Sequence, residues 1–135
     1  MKYLVDVNVL SEATRPAPSP EVVRWLRQNE ANLTIDAVIL GEIRLGILLL
    51  PPGKRRSALE NWFEQGITRL SCLPWDAAIA RQWATLLAKL RKKGKTMPLK
   101  DSMIAATAIQ HHLTIATRNV ADFKTANVAV VNPFH

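Results

Sequence analysis

Apolar positions along this chain recur in two rhythms: short unbroken runs of strand length, and longer stretches repeating every three to four residues. The runs are residues 2–7, with Asp6 set among Tyr3, Leu4, Val5 and Val7; NLTID at 32–36; RLSCLP at 69–74; LTIAT at 113–117; and VAVVN at 128–132. Helix signals fill the intervals. Pro20 stands at an early helical position before EVVRWLRQN, and AVILGEIRLGILLL runs from 37 to 50 until Pro51 and Pro52 stop it. The latter is apolar nearly all round, which predicts a buried helix. SALENWFEQGI, residues 57–67, predicts another, with Gly66 near its end. Asp76 is placed to cap a helix carrying Ile79, Trp83, Leu86, Leu87 and Leu90 at the 3.6-residue period before RKKGK closes it. DSMIAATAIQHH, 101–112, predicts a further helix and NVADF, 119–123, a helical turn, while TRPAPSP, 14–20, is a loop.

Strand alternating with helix implies an α/β fold with a mainly parallel central sheet covered on both faces, because parallel neighbours need crossover helices. Without a repeat, a low-complexity tract or a linker, residues 1–135 are expected to form a single domain. Ligands of such sheets bind beyond the carboxyl ends of the strands.

Composition narrows the class. A hydrophobic fraction of 48% and a charged fraction of 21% are those of an ordinary globular protein and exclude a disordered or fibrous chain. No apolar run has the length of a membrane span, and the N-terminus lacks signal-peptide order, so a cytoplasmic protein without membrane contact is expected. The single cysteine, Cys72, cannot form an internal disulfide and is read as a small core residue near a strand. A net charge of +7 favours polyanionic partners. Lys54, Arg55 and Arg56 form one basic cluster, and Arg91, Lys92, Lys93, Lys95 and Lys100 another. Each suits phosphate contact or a solvated helix end.

The acidic residues carry the chemistry. Glu21, Glu30, Glu60 and Glu64 fall on polar faces or loops, whereas Asp6, Glu42, Asp101 and Asp122 have neighbours that predict burial or partial burial. Bland roles exist for each: an Asx turn at Asp6, pairing of Glu42 with Arg44, and caps at Asp101 and Asp122. Topology nevertheless brings Asp6, at the end of the first strand, towards Asp101 and Asp122, which flank LTIAT. Carboxylates sharing a cleft at neutral pH need compensating cations, and oxygen-only ligation selects Mg²⁺ or Mn²⁺. Zinc spacing, a nucleophile elbow, a phosphate-binding Gly loop and a dinucleotide fingerprint are absent.

VDVNVLSE at 5–12, LGEIRLGI at 40–47, PLKDSMIAATA at 98–108 and TRNVADF at 117–123 together resemble the PIN-domain nucleases, within them the VapC-type toxins, including the FitB-like branch. The resemblance implies a three-layer α/β/α PIN-like domain that binds one or two Mg²⁺ or Mn²⁺ ions and cuts RNA. By position it assigns Asp6, Glu42, Asp101 and Asp122 as the catalytic and metal-binding acids, with Asp6 and Asp101 as direct ligands. It makes Asn8 the residue that orients Asp6, and gives Thr117 and Asn119 the loop. Val7 departs from the frequent Thr of that motif. Metal-assisted hydrolysis would leave a 5′-phosphate and a 3′-hydroxyl, with Arg91, Lys92, Lys93 and Lys95 holding flanking RNA. The resemblance further implies a homodimer silenced by a cognate antitoxin whose own domain binds operator DNA. Trp25, Trp62 and the Leu45–Leu50 stretch are candidates for these contacts and for core packing. Two other classes remain on the sequence: a receiver-like Mg²⁺-binding signalling module, and a silent binding module whose acids only stabilise turns.

Overall fold

The computed structural model describes all 135 residues. Five strands, β1 (Tyr3–Val5), β2 (Leu33–Asp36), β3 (Ser71–Leu73), β4 (Thr114–Ala116) and β5 (Val130–Val131), form one sheet in the order β3-β2-β1-β4-β5, with every neighbouring pair parallel. Seven helices complete a three-layer α/β/α arrangement: α1 (Val7–Glu12), α2 (Pro20–Gln28), α3 (Ala37–Leu48), α4 (Lys54–Gln65), α5 (Ala77–Lys92), α6 (Leu99–His111) and α7 (Val120–Lys124). The central strand β1 is flanked by β2 and β4, so its apolar residues are covered on every side; Leu4 and Val5 are fully buried. Both faces of a parallel sheet must be dry, which is why these runs read as continuous apolar segments.

Register decides where the chemistry falls. Val5 pairs with Ala116, and the Asp6 N–H donates to the Ala116 carbonyl at 2.9 Å, so β1 and β4 end side by side. The residues that follow them, Asp6 and Thr117, are therefore neighbours although 111 positions separate them.

Several boundaries differ from the sequence expectation. The first strand stops at Val5 rather than Val7. Asp6 is extended and its carboxylate accepts the Val7 N–H at 2.8 Å, which makes it the N-cap of α1. α4 starts at Lys54, three residues early, behind Gly53, whose φ of 154° suits glycine. The Lys54–Arg56 cluster thus occupies a helix N-terminus, where the dipole disfavours cations. Bonds offset this: Arg55 donates to the Thr14 carbonyl at 2.9 Å, and Arg56 to Glu60 at 2.9 Å and the Leu50 carbonyl at 3.2 Å.

The expectation of a helix buried all round fails for α3. Ile39, Ile43 and Ile47, spaced by four, form its buried stripe, while Leu45, Leu48 and Leu49 are exposed. Burying each Ile contributes about 1.5–3 kcal/mol. Cys72 is exposed, not a core residue, because β3 lies at the sheet edge and its burial is poor throughout. α6 opens at Leu99 behind Pro98, so Asp101 lies inside its first turn and caps nothing.

Candidate active site

Asp6 is 6% exposed and holds three donors: the Val7 N–H on Oδ1, Asn8 Nδ2 at 3.2 Å and the Thr117 hydroxyl at 2.8 Å on Oδ2. Burial pushes its carboxyl above the ordinary range, the Thr117 and Val7 donors pull it back, and the charge of Glu42 pushes it up again. Asn8 also bridges to Thr117 Oγ1 at 3.2 Å and accepts the Arg118 N–H at 3.0 Å. Thr117, fully buried, accepts the Asn119 N–H at 3.1 Å. Asn119 therefore meets this network through its backbone; its side chain makes no cap bond to α7. The result is a closed set of hydrogen bonds that locks the Asp6 carboxylate at the carboxyl ends of β1 and β4.

Glu42 and Asp101 arrive half-buried on α3 and α6, whereas Asp122, expected to be at least partly buried, is exposed because the first turn of α7 faces solvent. Lys100 Nζ lies 3.0 Å from Glu42 Oε2, so the partner of Glu42 is this lysine; Arg44 faces Glu60 instead. The Asp101 carboxylate accepts no hydrogen bond, and its pKa is pushed up to about 6. Burial is the first cause, followed by the charges of Asp122, Asp6 and Glu42, with Lys100 pulling back. The charges of Asp122, Asp6 and Glu42 all reach Asp101, so the four acids share one electrostatic environment. No three acidic, histidine or cysteine side chains close on a common point as a preformed cage. The cleft is electrostatically coupled yet open. Mg²⁺ keeps several waters and takes one or two carboxylates directly, so an oxygen-only, under-compensated cleft of this kind fits it.

Arg91, Lys92, Lys93 and Lys95 are exposed at the end of α5 and the Gly94 turn beyond it. Arg91 and Lys95 line a cavity of about 240 Å³ together with Leu99 and Ser102 of the α6 first turn. A second cavity of about 160 Å³ runs from Glu42 past Val7, Gly46 and Arg55 to Trp62. Trp25, by contrast, packs edge-on to Tyr3 at 4.9 Å.

Sequence reasoning passes over three residues: Lys100 beside Glu42, and Asp36 and Thr107 farther along the same two helices. Lys100 stands there only as one member of a basic cluster. Asp36 is fully buried and accepts both the Ile39 N–H at 2.9 Å and the Thr107 hydroxyl at 2.6 Å. Burial pushes its carboxyl above the ordinary range, and the Thr107 bond pulls it down. The reasoning that singles out Asp6, an acid at the end of an apolar strand, applies equally to NLTID and is the signal that selects Asp36.

Comparison with known proteins agrees with this fold. The PIN domain profile matches residues 3–127. The toxin FitB of Neisseria gonorrhoeae is 40% identical, covering 98% of this chain and 98% of its own. The VapC ribonuclease Y4jK of Sinorhizobium fredii is 33% identical, covering 97% of this chain and 96% of its own. The structure of FitAB bound to an IR36 DNA fragment contains a chain that superposes with a TM-score of 0.91 at 39% identity, covering 98% of this chain and 96% of that one. A receiver-like module finds no support in these matches. With a parallel β3-β2-β1-β4-β5 sheet, an acid at the end of its central strand and a profile match spanning almost every element, the chain belongs to the PIN-domain family, in the branch of FitB and the VapC-type proteins.

Proposed function

We propose that this protein is a Mg²⁺- or Mn²⁺-dependent endoribonuclease, the toxin of a toxin-antitoxin pair. The carrying observation is Asp101: a carboxyl raised to about 6 by burial and three acidic neighbours, with no hydrogen-bond donor of its own and Lys100 in opposition. Such a cleft holds more negative charge than its own residues neutralise, which is the electrostatic demand that a divalent cation meets. The names of the relatives, ribonuclease and toxin, support the reading.

Asp6 and Asp101 would hold the cation directly, with Glu42 and Asp122 directly or through water. When bound, the cation supplies Lewis acidity that activates water and offsets charge developing on the phosphoryl oxygens. The chain's own work is positional. Asn8 and Thr117 keep the Asp6 oxygens aimed out of the β1–β4 ends, and Asn119 fixes the loop that precedes Asp122. Arg91, Lys92, Lys93 and Lys95 hold flanking phosphates of the RNA. Cleavage without use of the 2′-hydroxyl leaves a 5′-phosphate and a 3′-hydroxyl.

FitAB was solved bound to a DNA fragment, which supports a cognate antitoxin for this chain and operator DNA reached through that antitoxin; the homodimeric toxin is part of the same proposal. No helix is long and apolar enough to cross a membrane. The test is cleavage of an end-labelled RNA in Mg²⁺, in EDTA and with Asp6→Asn. Cutting by the wild type in Mg²⁺ alone, and none by a variant with unchanged circular dichroism, is expected. Equal cutting by Asp6→Asn defeats the assignment.

A further inference from the structure

Asp36 is the most deeply buried acid in the protein, at 0% exposure, and nothing in the proposed chemistry uses it. Capping α3 does not account for it. The cap needs only Oδ1, which accepts the Ile39 N–H, and a serine supplies one such oxygen without burying a carboxylate. The second oxygen is committed elsewhere. Oδ2 takes the hydroxyl of Thr107, also at 0% exposure, across a 2.6 Å bond to α6. The alternative acceptor for that hydroxyl, the Met103 carbonyl, is a distant 3.4 Å away.

The two helices joined by this bond are those that carry Glu42 and Asp101. Glu42 lies six residues after Asp36 on α3, and Asp101 six residues before Thr107 on α6, so each acid stands about 9 Å of helix from the shared bond. At the cleft end the same helices meet again through Lys100 and Glu42, an exposed pair that solvent weakens. The buried bond is the rigid one of the two. We propose that Asp36 is a positioning residue that fixes α3 against α6 through Thr107, setting the separation of Glu42 and Asp101 for a divalent cation. This rests on the metal-dependent reading above.

Three variants separate the cap from the link. Asp36→Ser keeps an oxygen for Ile39 but falls short of Thr107; Thr107→Val keeps the shape without the hydroxyl; Thr107→Ser keeps the hydroxyl. Mn²⁺ affinity by calorimetry, kcat and KM on a labelled RNA, and thermal melting are read on each full-length protein. Asp36→Ser and Thr107→Val are expected to weaken Mn²⁺ binding and lower kcat by about 10- to 100-fold, with KM held within about twofold. Thr107→Ser stays near wild type, and the double variant Asp36→Ser/Thr107→Val is no worse than either single one. Folded Asp36→Ser or Thr107→Val with wild-type Mn²⁺ affinity and kcat overturns the proposal. Failure of both to fold also overturns it, since Asp36 is then a stabiliser of the core alone. A wild type that neither takes up Mn²⁺ nor cuts RNA defeats the nuclease reading itself, and the inference with it.

Discussion

Replacing Asp101 with Asn should stabilise the metal-free protein at neutral pH while leaving its stability in acid unchanged. The carboxyl stands at about 6 against an ordinary 3.8, pushed up first by burial and then by Asp122, Asp6 and Glu42. A rise of roughly two units sets a ceiling of about 3 kcal/mol, at about 1.4 kcal/mol per unit. Asp101 is only partly buried, and solvent screening reduces the expected figure to about 1–2 kcal/mol. The sign follows from proton binding. Between its unfolded and folded values the folded protein holds more protons, so stability falls as pH rises from about 4 to about 6 and the penalty is constant above. Asn, uncharged throughout, escapes it. For 135 residues, with about 2.1 cal/mol/K of unfolding entropy per residue, the gain is a Tm increase of about 4–7 °C. Thermal melts in EDTA at pH 4 and pH 8 measure it, and the difference between variant and wild type should open only at the higher pH. On the proposed assignment of Asp101 as a metal ligand, adding Mg²⁺ should reverse the order, because ligand binding stabilises the wild type by about 2.7 kcal/mol at a hundredfold excess over Kd. An Asn variant no more stable than wild type at pH 8 in EDTA, or equally stabilised at both pH values, refutes the account of a cleft held under charge repulsion.

Two other changes address the cations around the cleft. Lys100→Met removes the ammonium that opposes the acids, so Mn²⁺ should bind about 2- to 5-fold more tightly by calorimetry, the range expected for loss of a partly exposed pair; weaker binding would show that Lys100 helps to build the site. Neutralising Arg91, Lys92 and Lys93 together should weaken RNA binding and flatten its dependence on salt, by about 0.7 in the logarithmic slope for each phosphate left without its cation, measured by fluorescence anisotropy across a salt series. An unchanged slope would assign these residues to solvent alone.

Much of this architecture was legible one residue at a time. Apolar runs near 3–5, 33–36 and 114–116 had to be covered on both faces, and the helices between them had to supply the cover, so a parallel α/β sheet followed from periodicity. The acids were legible because charge among apolar neighbours is costly, and Asp6 in YLVDV breaks the pattern plainly. Local competition was less readable. Val7, Val9 and Leu10 have strand-like side chains, yet the Asp6 cap turns them into helix, and the same kind of cap by Asp36 starts α3. Edge position was not readable at all: Cys72 looks like a core residue in RLSCLP, and only the sheet order exposes it.

The residue types at the cleft were thus set by local sequence, whereas their mutual geometry was not. The pairing of Val5 with Ala116 brings Thr117 onto Asp6, the packing of α3 on α6 gives Glu42 the ammonium of Lys100, and the hydroxyl of Thr107 reaches Asp36 across 71 positions. Such meetings depend on strand register and helix crossing, quantities that arise only when separate segments pack, because hydrogen bonds and Coulomb forces act over a few ångströms of space rather than along the chain.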